Sequence, residues 1–141
     1  LKENSLTTTE DTTDMVRVYV AGPYSGPDVI TILDNMRRGL RVSHQVLKHG
    51  FAPFAPWLDY LFSLIGETTL EEYYAYSIAW LKVSDCVLLV PGWETSKGTK
   101  KELEIASELG LPVFESIDEL LEWDLSRTLC EDSECSFSLR D

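Results

Sequence analysis

The run Cys86-Val-Leu-Leu-Val90 is apolar at every position. A strand with one wetted face alternates apolar and polar residues, so a short unbroken run predicts a central parallel strand covered on both faces. Such a strand needs helices above and below it, and the chain supplies them in alternation with further strands. Val16 to Ala21 (VRVYVA) is β-branched and aromatic and ends in Gly22-Pro23, the pattern of a strand entering a tight loop. Asp28 then opens a long helix in which Val29, Leu33, Met36, Leu40 and Leu47 share an apolar stripe, closed by Gly50.

Phe51 to Phe54 reads as a short second strand. A helix follows from about Leu70 to Val83, with Leu70, Tyr74, Ser77 and Leu81 on one stripe. Beyond the central strand come a helix from Gly98 to Leu109, a short strand from Pro112 to Phe114 and a closing helix from Ile117 to Trp123. Alternation of this kind predicts an α/β, doubly wound (flavodoxin-like) parallel sheet of four or five strands with helices on both faces. Residues 1–15 are expected to be a mobile acidic leader, 16–124 the single folded domain, and 125–141 a mobile tail.

Ligands of doubly wound sheets bind beyond the carboxyl ends of the strands, where strand order reverses. Two loops are therefore expected to lie side by side: Gly22 to Pro27 after the first strand and Pro91 to Gly98 after the central one. The first has neither a GxGxxG dinucleotide fingerprint nor the Gly-Lys-Ser/Thr of a P-loop. Gly22, Gly26 and Ser25 nonetheless permit close approach and a polar contact. Trp93, Ser96 and Gly98 are the corresponding candidates on the second loop.

The net charge of -12 is spread along the chain. That field repels a phosphate backbone, so polymeric DNA or RNA is not an expected partner, whereas a small anion held by local backbone amides is still allowed. The three cysteines are an odd number, with Cys86 in the buried strand, which fits a reducing, cytoplasmic compartment. Cys130 and Cys135 read as tail cysteines. The spacing of His44 and His49 is poor for metal ligation, and no metal or other cofactor is expected. Neither a signal peptide nor a membrane span is visible: Phe51 to Gly66, the most apolar stretch, is interrupted by Pro53, Pro56 and Asp59.

The most informative segment is Gly92 to Ala106 (GWETSKGTKKELEIA). Glu102 heads a helical stripe with Ile105, Ala106 and Leu109, so a carboxylate faces the buried side of a helix just past the end of the sheet. Two readings are open. Glu102 is a catalytic carboxylate, kept ionised by the helix dipole. Alternatively, Thr99-x-x-Glu102 is a capping box in which Glu102 folds back onto the Thr99 amide.

Three segments resemble the nucleoside 2-deoxyribosyltransferase superfamily, with its nucleotide N-glycosidase branch and related uncharacterised phage and bacterial proteins. They are Val18-Tyr-Val-Ala-Gly-Pro23, Ser84 to Glu94 (SDCVLLVPGWE), and Ser96 to Ala106 (SKGTKKELEIA) followed by Leu109-Gly-Leu-Pro-Val113. The resemblance implies that Glu102 is the nucleophile, that Tyr19 orients it, and that Ser96 helps hold a 5′-phosphate. It also implies a homo-oligomer, at least a dimer, acting on a nucleoside or nucleotide. One position departs from the pattern. Where family members commonly carry an Asp that assists the leaving base or binds the sugar, this chain has Ser77, which cannot act as a general acid near neutral pH.

Asp59, in Trp57-Leu-Asp-Tyr60, is the candidate replacement. Tyr24 and Trp57 are the aromatics chosen to stack on a base, because their loops follow the first two strands. The expected activity is cleavage or transfer of an N-glycosidic bond through a glycosyl-Glu102 intermediate; the alternative is a nucleotide-binding module that has lost turnover. A dinucleotide-binding oxidoreductase is disfavoured by the missing glycine fingerprint.

Overall fold

The computed structural model describes residues 15–140, with side chains for 15–131. Strand β1 (Arg17–Ala21) leads to helix α1 (Val29–Lys48), β2 (Ala52–Phe54) and a 3-10 segment, Pro56–Leu64. Helix α2 (Leu70–Lys82), β3 (Cys86–Leu89), a 3-10 turn at Trp93–Thr95, α3 (Lys97–Leu109), β4 (Val113–Phe114) and α4 (Ile117–Arg140) complete the described chain. The four strands are all parallel, in the order β2-β1-β3-β4. This is the expected doubly wound, flavodoxin-like α/β fold, with β1 and β3 adjacent and the reversal of strand order between them.

The sheet divides the core in two. Val18, Val20, Cys86, Leu88 and Val90 pack on one face with Val46 of α1 and Leu120 of α4. Tyr19, Ala21, Val87 and Leu89 point to the other face, against Leu81 of α2 and Ala106 of α3. The two-residue period of the strands dictates this division, and it delivers Tyr19 to the side on which α3 carries Glu102.

Helix α1 departs from the expected stripe. Val29, Leu33 and Leu47 are exposed, Met36 and Leu40 are partly buried, and the buried line is Asn35, Gly39, Ser43 and Val46. The cause is Trp57, which is 1% exposed and lies so close to Gly39 that a Cβ there would come within 2.3 Å of the indole. Only a helix face of small or hydrogen-bonded residues accommodates an indole at that distance. Ser43 satisfies its hydroxyl on the Gly39 carbonyl at 2.8 Å.

The stripe expected on α2 is likewise half right: Ser77 and Leu81 are buried, while Leu70 and Tyr74 are exposed. Helix α4 does not end at Trp123 but continues to Arg140, so the segment expected to be a mobile tail is helical. No Gly or Pro interrupts it, and Arg127 pairs with Asp124 and Glu131 at helical spacing. Residues 1–14 of the expected leader lie outside the described residues.

Candidate active site

Beyond the carboxyl ends of β1 and β3 lies a cleft of about 1670 Å³. Its walls are the loop after β1, the start of α1, the segment from Pro56 to Leu70, α2, and the loop leading into α3. That position is the one a doubly wound sheet reserves for ligands.

Glu102 lines this cleft, and the Tyr19 hydroxyl donates to its Oε2. Tyr19 is fully buried, stacked on Phe54 with ring centroids 5.3 Å apart, and stands behind Glu102 rather than in the cleft. Burial pushes the Glu102 carboxyl up to about 7, and the bond from Tyr19 opposes that rise. The net direction is opposite to the one expected from the helix dipole. Glu102 sits in the second turn of α3, where the dipole is weak and desolvation dominates. Burial, reinforced by the Glu102 charge, also raises the Tyr19 hydroxyl, so it remains a donor, while Ser77 acts on it in the opposite direction.

The capping-box reading of Glu102 is excluded by the helix start. The cap is Ser96, whose Oγ accepts from the Thr99 amide at 3.2 Å and from the Thr99 hydroxyl at 3.0 Å. Thr99 lies inside the first turn and is 1% exposed, and Glu102 turns to Tyr19 instead. The chain does contain a capping box, one helix earlier: Thr69 Oγ1 accepts from the Glu72 amide while Glu72 accepts from the Thr69 amide.

Of the other expected residues, Gly22, Tyr24, Ser25, Gly26, Asp59, Ser77, Ser96 and Gly98 all line the cleft. Gly22 is required by crowding, since a Cβ would stand 2.6 Å from the Val90 Cβ. The Tyr24 hydroxyl donates to Asp59 Oδ1 at 2.6 Å. Asp59 is 7% exposed, and its burial raises its carboxyl above the ordinary range despite that bond. Besides Glu67, the cleft thus holds two carboxylates that are each hydrogen-bonded by a tyrosine. Asp59 and Glu102 line the same cleft.

Two expectations are corrected. Trp57 borders the cleft as expected, but at 1% exposure it has no open face for a base: Gly39 closes on its indole, and its Nε1 donates to the Pro23 carbonyl at 2.9 Å. Trp93 does not line the cleft but packs on the α3 side of the core. Both tryptophans brace the loops instead. Sequence reasoning also passed over Asn35, Arg38, Tyr73 and Tyr74, which line the cleft. For Asn35 a signal existed: Asn35, Gly39 and Ser43 form a small or polar line at i, i+4, i+8 beside the apolar stripe of the helix.

Among the described residues no group of three or more His, Cys, Asp or Glu is placed to hold a metal ion, and no described helix is long and apolar enough to cross a membrane. No curated protein matches the sequence. A family model does match over residues 16–115, the part that builds the whole sheet and every wall of the cleft, and the chain therefore belongs to the DUF4406 family, a domain of unknown function.

Proposed function

We propose that the chain is an N-glycosidase or glycosyltransferase of (deoxy)nucleosides or their 5′-monophosphates, as its resemblance to the nucleoside 2-deoxyribosyltransferase superfamily implies. The observation that carries this reading is the Tyr19–Glu102 pair at the wall of a cleft beyond β1 and β3. In the first displacement a Glu102 oxygen bonds to the anomeric carbon as the bond to the base nitrogen breaks. In the second, water or another base attacks that carbon and the Glu102 carboxylate is released. Tyr19 fixes the orientation of Glu102 and, as a neutral donor, stabilises the carboxylate whenever it is free.

The leaving base needs a proton, and Ser77 cannot supply one. Asp59 is the group suited to do so: it is buried, its pKa is raised, and its Oδ1 is held by Tyr24, which leaves Oδ2 to carry the proton. Asp59→Asn is expected to lower kcat by roughly 10²- to 10⁴-fold for substrates whose base leaves poorly, and far less for an activated base that departs without protonation. An equal loss for both would assign Asp59 to holding Tyr24 in place.

Incubation with a panel of nucleosides and 5′-monophosphates, followed by chromatography for free base, tests the reading as a whole. Ser77, at the position of the family's usual Asp, favours a second reading: a nucleotide-binding module without turnover. That reading gains if the panel yields saturable binding but no free base. Exposed Leu61, Phe62, Leu64, Ile65 and Leu70 form an apolar run that supports a homo-oligomer, and the buried Cys86 thiol suits a reducing, cytoplasmic setting.

A further inference from the structure

The cleft carries two cations that the proposed displacements do not use, Arg38 on α1 and Lys97 at the start of α3. Arg17 pairs with Asp85, Arg37 with Asp34 and Arg127 with Asp124. Arg38 meets no carboxylate among the described residues, and its Nη2 donates instead to the neutral Asn35 Oδ1 at 2.9 Å. Asn35 is 5% exposed, and its Nδ2 donates to the carbonyls of Tyr24 and Ser25, each at 3.2 Å. Its Oδ1 is thereby turned toward Arg38. At the other end, Gly92 adopts a φ of 95°, and a Cβ there would lie 3.3 Å from Arg38 Nη1 and 3.9 Å from Pro23. The guanidinium is therefore held where the two loops meet, by a partner that leaves its charge unneutralised.

The carboxylates of the cleft stand on other elements: Asp59 and Glu67 on the chain between β2 and α2, Glu102 on α3. Arg38 is thus the cation of the α1 wall and Lys97 that of the α3 start, in a chain whose net charge is -12. An anionic substituent on a ligand is repelled by these carboxylates and drawn to the cations, of which Arg38 is the one fixed by a side-chain hydrogen bond among the described residues. A guanidinium also offers a planar fork of donors that matches phosphate oxygens. The Ser96 Oγ, which accepts twice within α3, keeps its own hydrogen to donate on the second loop.

We infer that Arg38, held by Asn35, binds a phosphate monoester, so that the cleft takes a nucleotide in preference to a nucleoside. The nucleotide identity rests on the glycosidase reading; the phosphate site does not. The test is calorimetric titration of the full chain with inorganic phosphate at low ionic strength, because Arg38 is exposed and its attraction is screened by salt. Arg38→Met is expected to weaken phosphate binding at least tenfold, within the roughly 10- to 100-fold range of a charge-assisted hydrogen bond. Arg37→Met, which removes the neighbouring but carboxylate-paired cation, should leave it unchanged. Absence of phosphate binding to the unaltered protein, or equal affinities for the protein and Arg38→Met, overturns the inference.

A second titration uses Glu102→Gln protein, which cannot consume its ligand, with a 5′-monophosphate and its parent nucleoside. Adding Arg38→Met should remove the preference for the monophosphate and spare the nucleoside; equal loss for both would also overturn the inference. Phosphate binding that depends on Arg38, together with no base release from any panel member, would sink the glycosidase reading and leave the phosphate site standing.

Discussion

Glu102→Gln is expected to abolish base release, lowering kcat by on the order of 10³-fold or more, while the protein stays folded. Gln retains the shape of Glu and a carbonyl that can accept from Tyr19, but it cannot form a glycosyl ester that water reopens. The stability of the variant carries a second signature, whose sign follows from the raised pKa. Glu102 has its carboxyl near 7 when folded, against about 4.5 unfolded, so the folded state binds the proton more tightly. The unaltered protein is accordingly at full advantage below about pH 4.5 and loses stability as pH rises through 7, by an amount on the order of 3 kcal/mol. Gln carries no such penalty. Denaturant melts at pH 5 and pH 8.5 should show the variant gaining on the unaltered protein at the higher pH. Over the same interval kcat/KM of the unaltered protein should rise for an activated base that departs without protonation, because the nucleophile is the ionised form, and should pass through a maximum for a base that needs the Asp59 proton. Near-normal base release by Glu102→Gln would end the case for a covalent intermediate, and a pH-independent stability difference would show that Glu102 is not buried against its ionised form.

The fold was legible because its two strongest signals are insensitive to detail. An unbroken apolar run such as Cys86 to Val90 has few alternatives to a central strand, and helices alternating with strands leave few topologies. Tyr19 and Glu102 were reachable for the same reason: strand period and helix period each specify a face, and both faces adjoin the same strand end. What failed were inferences from helix periodicity about which face is buried. On α1 the apolar residues outnumber those the sheet can cover, and the choice among them was made by Trp57, a residue distant in sequence. The cap of α3 was ambiguous because Ser96 and Thr99 are both good capping residues one turn apart. Trp57 and Trp93 were assigned to the ligand because they sit on loops, yet a loop aromatic is as free to turn inward as outward, and both turned inward.

Gly39→Ala is expected to destabilise the fold, against the ordinary trend for a helix interior, where Ala is favoured over Gly by about 1 kcal/mol. The new Cβ would stand 2.3 Å from Trp57 Cε2 and 2.4 Å from Cδ2 and Cζ2, separations that packed atoms do not tolerate. Trp57 cannot simply retreat. It is 1% exposed, its Nε1 is bonded to the Pro23 carbonyl, and the Cζ2 that meets Gly39 is already close to Gly22. Either α1 lifts from the sheet or the indole moves and carries the loop after β1 with it. Overpacking of this kind costs roughly 1–3 kcal/mol, enough to outweigh the helix preference and to lower Tm by about 4 °C for each net kcal/mol in a domain of this size. Because Tyr24, Ser25 and Asn35 are tied to the same loop, ligand binding should weaken with stability. The contact is isolated by a double-mutant cycle with Trp57→Leu, which removes the ring that the new methyl would strike. On that background Gly39→Ala should be neutral or stabilising, as helix propensity alone requires. Additive losses would place the cost elsewhere in α1 and separate the helix face from the bracing of the candidate active site.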